Sequence, residues 1–155
     1  MNRRSALTAA GFVAVVMVYA ALSRLWVDTG SRWYRSLTEP PWQPPDAVFG
    51  VIWPLNFLAL LTVGVVVSLH RPAVARRMLV VLAASVIFAL GWSYLFSDAH
   101  SLVGAAISLV VAAALTWVLT LLAWRAGRGY AAVLAVYTLW MSLAASLAVG
   151  FVGLN

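Results

Sequence analysis

Tryptophan is the residue type in this 155-residue chain whose number and spacing could form a binding site, since eight are present. An indole ring stacks on flat ligands and carries a single N–H donor. A stiff loop and the depth of the helices would allow four of the eight to converge in the outer half of one bundle: Trp42, Trp53, Trp92 and Trp140. Small-molecule sites are usually apolar, aromatic-lined cavities with few polar groups. The pattern therefore predicts an aromatic pocket, with plain core packing as the alternative.

Acids, bases and histidines form no catalytic pattern in this sequence. No Asp, Glu or Arg lies well inside a predicted span, although proton relays and ion pathways usually contain such residues. Cysteine is absent, and no cluster of His, Asp or Glu has the spacing of a metal site. We therefore expect no catalytic residue and no metal site, and the sequence favours a binding or transport protein over an enzyme.

Two single polar residues leave alternatives open. His100 lies in a tight turn and could ligate a haem iron, whereas a lone loop histidine is more often a solvated polar residue. Asn56 is an amide at membrane depth that needs hydrogen-bond partners. It could donate a hydrogen bond to the carbonyl that Pro54 leaves without a partner, or it could contact a ligand.

The composition predicts an integral membrane protein. Hydrophobic residues make up 65% of the chain and charged residues 9%, with a mean hydropathy of +0.99, whereas about a quarter of residues are charged in soluble domains. A spanning helix needs about 20 apolar residues. We expect an all-α, five-helix transmembrane bundle in a single domain over residues 1–155, with a long first loop at 28–46. The predicted spans are approximately residues 7–27, 47–69, 78–96, 101–124 and 130–151.

Arginine supplies all ten basic residues, and its distribution predicts the orientation. With five spans, the N-terminus and the second and fourth connections share one side, which collects Arg3, Arg4, Arg71, Arg76, Arg77, Arg125 and Arg128. All four acids fall on the other side. The positive-inside bias then predicts a cytoplasmic N-terminus, with the first loop and the C-terminus outside. Because the arginines flank apolar runs and form no stripe, nucleic-acid binding is not indicated.

The first predicted span has a second interpretation as a signal peptide. Asn2, Arg3 and Arg4 precede the apolar run, and Val18-Tyr19-Ala20 is a tolerable cleavage site. A retained helix is favoured because the run from Leu7 to Val27 is longer than a usual signal core and ends beside Trp26, a typical interfacial anchor.

The stretch from Trp33 to Trp53 differs from the rest of the chain because prolines stand at 40, 41, 44 and 45. Proline fixes φ, removes a backbone donor and keeps the preceding residue out of the α region. We therefore expect an extended, stiff loop that carries Trp42 and leads into a helix with Phe49 and Trp53 four residues apart on one face.

The aromatic and proline residues of this stretch form one long motif: Trp33, Tyr34, Leu37, Pro40, Trp42, Pro44, Pro45, Phe49 and Trp53. This motif resembles the TspO/MBR family, the tryptophan-rich sensory proteins related to the mitochondrial translocator protein. Residues 88–96 and 137–144 look like two further family patterns, in the third and fifth predicted spans. The resemblance covers the whole chain and suggests a bacterial member of the family in the inner membrane.

The resemblance implies a ligand pocket closed by the first loop, since family members bind porphyrins, sterols and benzodiazepine-type compounds. The implied partners are a hydrophobic small molecule and the lipid bilayer, with porphyrin or haem as a possible ligand and no obligatory cofactor. Carried over by motif position, the lining residues are Trp42, Phe49, Trp53, Phe57, Trp92, Trp140 and Ala144. Further loop contacts would come from Trp33, Arg32 and Arg35.

Four positions depart from the family pattern. The usual asparagines of the third and fifth spans fall on Ala89 and Ala148, and a usual glutamine falls on Ser85. Phe57 stands where many members have tyrosine. The implied pocket is therefore drier and has fewer hydrogen-bond partners than is usual in the family.

These observations leave three functional hypotheses. The first is a membrane receptor, sensor or transporter for a hydrophobic ligand. The second is light- or oxygen-dependent porphyrin breakdown, with Trp53 and Trp140 exposed to oxidation. The third is an interaction protein that forms a homodimer through small residues, with bundle packing as the alternative for each face. Those faces are Ala6/Ala10/Ala14, Gly104/Ser108/Ala112 and Ser142/Ser146/Gly150.

Overall fold

The computed structural model describes residues 3–26 and 30–155 and, within them, contains helices but no strand. The helices are α1 (Arg3–Trp26), α2 (Arg32–Ser36), α3 (Asp46–His70), α4 (Pro72–Ser97), α5 (Leu102–Ala126) and α6 (Arg128–Leu154). In the described part of the chain, five helices are long and apolar enough to cross a membrane, which confirms the all-α prediction. The predicted anchoring role of the Trp26 side chain and the loop start at residue 28 lie outside what the structure describes.

Helices α1, α4 and α6 extend beyond the predicted spans. Helix α1 starts at Arg3, four residues before the predicted start at Leu7. Helix α4 starts at Pro72, six residues before the predicted start at Met78, so the predicted connection at 70–77 is mostly helical. The reason is that Pro72 occupies a first-turn position that proline favours, and Arg76 and Arg77 are compatible with a helix even where they end an apolar span. Helix α6 likewise runs on to Leu154.

The first loop is only partly extended. Residues 32–36 form the short helix α2, which the sequence interpretation missed. Ser31 caps it, because its side chain accepts a hydrogen bond from the Tyr34 backbone N–H at 3.1 Å. Beyond Leu37 the proline-rich segment is non-helical, with one turn closed by the Gln43 N–H on the Pro40 carbonyl at 3.0 Å. Within the first loop, the irregular backbone is thus confined to the segment that contains the prolines.

The helices pack in an order that the sequence does not specify. Helix α1 packs against α3 and α4, α4 against α5, α5 against α6, and α6 against α3. Around the bundle the order is therefore α1, α3, α6, α5 and α4. We call the end with the connections α3–α4 and α5–α6 the arginine end, and the end with the first loop the loop end.

The three small-residue faces differ in how far they are covered within the chain. Ser108 on α5 is buried and donates a hydrogen bond to the Phe88 carbonyl of α4 at 2.7 Å. On α6, Ser142 and Ser146 accept hydrogen bonds from the indoles of Trp117 and Trp42 at 3.1 and 3.2 Å. On α1, in contrast, Ala10 and Ala14 are exposed. Packing inside the bundle therefore explains the α5 face, whereas on α6 Ser146 stays exposed and is contacted by Trp42 of the first loop.

Candidate functional site

Five aromatic rings from three helices form an aromatic cage near the loop end: Tyr19 of α1, Phe49, Trp53 and Phe57 of α3, and Trp140 of α6. The α3 members recur every fourth residue and so share one face of the helix. Ring centroids lie 6.5 Å apart for Trp53 and Trp140 and 5.1 Å apart for Phe49 and Trp140. Tyr19 meets Trp53 and Phe57 edge-on at 5.8 and 5.4 Å. Four predicted lining residues thus lie together.

A second group of rings, the loop cluster, joins the first loop to the bundle. It consists of Trp33 and Tyr34 of α2, Trp92 and Phe96 of α4, and Phe151 of α6. Phe96 is central, with ring centroids 4.9 Å from Trp33, 5.7 Å from Trp92 and 5.5 Å from Phe151. Trp92 also packs against the main core, so it lies between the two groups.

Trp42 lies apart from the cage. Its side chain is 48% exposed, and its indole N–H donates to the Ser146 hydroxyl of α6. Gly150 provides the flat surface below it, since a Cβ there would come within 2.8 Å of the Trp42 ring and 2.9 Å of Pro40. In this structure Trp42 fastens the first loop to α6.

The four other residues predicted to contact the ligand differ in their burial and in their neighbours. Ala144 is half-buried one turn after Trp140 and packs on the core. Trp33 is half-buried and belongs to the loop cluster. Arg32 and Arg35 are exposed, and the Arg35 guanidinium donates to the Gly30 carbonyl within its own loop.

Hydrogen bonds tie the first loop to the end of α6. The Asn155 amide accepts from the Thr38 backbone N–H at 2.8 Å and donates to the Thr38 carbonyl at 3.1 Å. Gln43 donates to the Tyr34 hydroxyl at 3.0 Å. Burial raises the pKa of Tyr34 above its ordinary value, so this phenol is neutral at physiological pH. The loop therefore covers the bundle in an ordered conformation.

Four buried polar atoms near the two aromatic groups have no hydrogen-bond partner among the described residues. They are both amide atoms of Asn56 and the indole nitrogens of Trp92 and Trp140. The Tyr137 hydroxyl, in contrast, lies beside the hydroxyls of Tyr19 and Ser85. Asn56 therefore does not bond the carbonyl freed by Pro54, which removes one of its two predicted roles. Buried indole and phenol groups usually find a partner, so this cluster is unusual for a plain core.

Tyr19 and Tyr137 are the members of this region that sequence reasoning missed. Tyr137 precedes Trp140 by three residues and thus shares its helix face, which was a usable signal. Tyr19 lies in the first span, where its contacts with α3 depend on the order of helices around the bundle.

His100 is exposed and has a positive φ of 51°. Its ring stacks on Trp33 with centroids 4.3 Å apart. A groove of about 400 Å³ lies elsewhere, between α3 and α6, and is lined by Thr62, Val63, Val66, Gly129, Tyr130 and Val133. The cage itself is filled by its own rings at contact distance, so a ligand there would have to displace rings or the loop.

Comparison with known proteins gives one family. The TspO/MBR family model matches residues 11–153. The tryptophan-rich protein TspO of Chlorobaculum tepidum is 29% identical over 131 residues, which covers 81% of this chain and 80% of that protein. The match includes the first loop, the cage and the loop cluster, and the chain belongs to the TspO/MBR family.

Proposed function

We propose that this multi-pass membrane protein is a receptor or sensor that binds a hydrophobic, ring-bearing ligand in the aromatic cage beneath the first loop. Family membership supports the sensor or receptor type of role. The observation that carries the ligand site is the Trp140 indole, 7% exposed among the cage rings with its N–H unpaired within the described chain. Small-molecule sites are usually apolar and aromatic, with a few polar groups that orient the ligand. An unpaired indole N–H among aromatic rings is a polar group of this kind.

Binding would draw on burial and ring contacts. Each aromatic pair contributes about 0.5–1.5 kcal/mol beyond its area burial, and a flat ligand inserted beside Trp53 and Trp140 would form several such pairs. Because the loop is fastened to α6 through Trp42 and Asn155, we propose that ligand entry requires this loop to lift. Porphyrin, haem and sterol are the candidate ligands.

Tryptophan fluorescence tests this proposal. Protoporphyrin IX, haem and a sterol are titrated into the purified protein, and saturable quenching or a saturable spectral shift with at least one of them is expected. Trp53→Ala and Trp140→Ala should each weaken binding at least tenfold, because about 1.4 kcal/mol corresponds to tenfold. Trp124→Phe, at a lipid-facing position that is 54% exposed, is the matched control. Unchanged affinity in both cage variants would contradict the site.

The orientation that we propose places the loop end outside and the arginine end in the cytoplasm of a bacterial inner membrane, by the positive-inside bias. The chain contains no cysteine, so single cysteines can report on it. Glu39→Cys should react with a membrane-impermeant maleimide in spheroplasts, and Ala73→Cys only after lysis. The reverse pattern would contradict the orientation.

A further inference from the structure

Helices α3 and α6 are in ring contact at the loop end and separated by a groove at the arginine end. At the loop end, Trp53 of α3 lies 6.5 Å from Trp140 of α6. Toward the arginine end, a groove of about 400 Å³ lies between the same two helices. Its lining residues are Thr62, Val63 and Val66 of α3, and Gly129, Tyr130 and Val133 of α6.

The groove lies within one leaflet of the membrane. Thr62 precedes the end of α3 at His70 by eight residues, and Val133 follows the start of α6 at Arg128 by five. At about 1.5 Å per residue, the groove therefore extends roughly 12 Å inward from the arginine end. One leaflet supplies about 15 Å of a hydrocarbon core that is ~30 Å thick. The groove thus faces acyl chains along most of its length.

The surface of the groove is apolar and open. Val63, Val66 and Val133 line it, and a Cβ at Gly129 would meet nothing within 4 Å. An empty groove loses dispersion contacts along its walls, and the medium at this depth is hydrocarbon and not water. An acyl chain is therefore the apolar ligand that the surrounding leaflet itself supplies.

The mouth of the groove is positively charged. Arg71 follows α3 directly and Arg128 begins α6, so an arginine stands at the end of each helix that forms the groove. Both arginines are exposed, and the Arg128 guanidinium lies 5.1 Å from the ring centre of Trp124. The described residues place no acid at this end. The chain therefore supplies no counter-charge for the two guanidinium groups there.

Tyr130 connects the charged mouth with the apolar groove. Its ring packs against the core, and its Cδ2 lies 3.2 Å from the position that a Cβ on Gly127 would take. The side chain therefore leans toward the start of α6, as helical side chains usually do. No hydrogen bond of its hydroxyl joins it to another described residue, so this donor is available to a phosphate or glycerol oxygen.

We propose that the groove and its two arginines bind an anionic phospholipid, with one acyl chain along the groove and the phosphate between Arg71 and Arg128. Basic pockets between membrane helices bind anionic lipid head groups through the same charge complementarity. A choline phospholipid has the same acyl chains, but its trimethylammonium group is repelled by the arginines. This inference goes beyond the proposed function, because the groove lies at the opposite end of the bundle from the aromatic cage.

Native mass spectrometry of the full chain in detergent tests the head-group contact. Dioleoyl phosphatidylglycerol and dioleoyl phosphatidylcholine are the probes, since they share their acyl chains and differ in net charge. We expect one phosphatidylglycerol molecule to bind at least tenfold more tightly than phosphatidylcholine. Arg71→Gln and Arg128→Gln should each weaken phosphatidylglycerol binding about fivefold, the factor expected of one basic residue near a lipid head group.

The matched charge control is Arg76→Gln. Arg76 is an exposed arginine at the same end, but it belongs to α4, which does not line the groove. Its replacement should leave the affinity for phosphatidylglycerol within about twofold of wild type. Equal affinities of the two lipids for wild type, or an equal loss in Arg76→Gln, would overturn the site, because the basic end would then attract anionic lipid without a specific position.

A filled groove tests the acyl-chain contact. Gly129→Leu should lower the affinity for phosphatidylglycerol at least tenfold, whereas Gly153→Leu, near the other end of α6, should not, although a Cβ meets nothing within 4 Å at either position. Val133→Phe, at a position that is 45% exposed, fills the same groove if Gly129→Leu does not fold. Full binding to a folded, filled variant would overturn the site. If filling the groove instead dissociates a dimer that phosphatidylglycerol leaves intact, a second copy of the chain covers the groove and the lipid site is wrong.

Discussion

Helices α4, α5 and α6 pack against one another through small residues, whereas α1, α3 and α6 meet through the large rings around Trp53 and Trp140. In the first region, Ser85, Ser108 and Thr138 each donate a hydrogen bond to a carbonyl of the neighbouring helix, at 3.0, 2.7 and 3.1 Å. In the second region the indole of Trp140 is buried without a partner among the described residues. Both regions are buried, but these three hydroxyls of the first region are paired, whereas the Trp140 indole of the second is not.

In a protein with few charged groups, the difference between paired and unpaired polar groups helps to distinguish helix packing from ligand binding. Close approach of small residues and paired hydroxyls are the means by which transmembrane helices associate, so the first region is explained by stability alone. Large rings whose N–H donors lack a partner stabilise the fold less, because an unpaired buried donor costs free energy. We infer that the second region retains them for a ligand.

The largest expected effect comes from filling a close helix contact away from the cage. A Cβ at Gly64 of α3 would lie 2.3 Å from the Phe12 ring of α1. Gly64→Val should therefore destabilise the fold by about 3 kcal/mol, at the upper end for overpacking, as measured by unfolding in detergent. Gly50→Val in the same helix is the control, because its Cβ meets nothing within 4 Å. Equal losses in the two variants would contradict the packing described here.

An intermediate effect is expected where the first loop contacts α6. Gly150→Val should displace Trp42 and Pro40, since the added Cβ would approach their rings to 2.8 and 2.9 Å. Proteolysis of the first loop should then become about tenfold faster while the bundle stays folded, because local opening costs less than global unfolding. Gly153→Val, where a Cβ meets nothing within 4 Å, should behave as wild type. An unchanged cleavage rate in Gly150→Val would show that Trp42 does not fasten the loop.

The smallest effect is expected for a single paired hydroxyl. Thr138→Val keeps the shape of the side chain and removes its bonds to the Thr116 carbonyl and the Thr120 hydroxyl, at 3.1 and 2.7 Å. Stability should fall by about 0.6–1 kcal/mol, the usual value for such bonds in membranes. A stabilising Thr138→Val would remove the distinction between paired and unpaired groups.

The sequence predicted the five membrane helices because hydropathy is a local property that requires no tertiary contact. It also placed Phe49, Trp53 and Phe57 on one face, since fourfold spacing on a helix is local too. The short helix α2 and the early start of α4 were missed, because a helix can continue outside the apolar span and can begin within a polar loop.

The position of Trp42 could not be predicted from the loop alone. Its environment is set by Ser146 and Gly150, more than 100 residues later in the chain. The contribution of Tyr19 likewise depends on α1 lying next to α3. Such contacts require the order of helices around the bundle, which hydropathy and spacing do not contain.

Nitrogen-15 NMR of the tryptophan indoles in nanodiscs tests most directly whether the unpaired donors mark a ligand site. Each indole N–H gives its own signal, assigned by single Trp→Phe variants, and protoporphyrin IX is the titrant. We predict that the Trp140 signal moves most, with a smaller change at Trp92, while Trp117 and Trp124 stay within the shifts caused by lipid partition alone. Shifts confined to Trp117 and Trp124, with Trp140 unchanged at saturation, would contradict the assignment of the aromatic cage as the binding site.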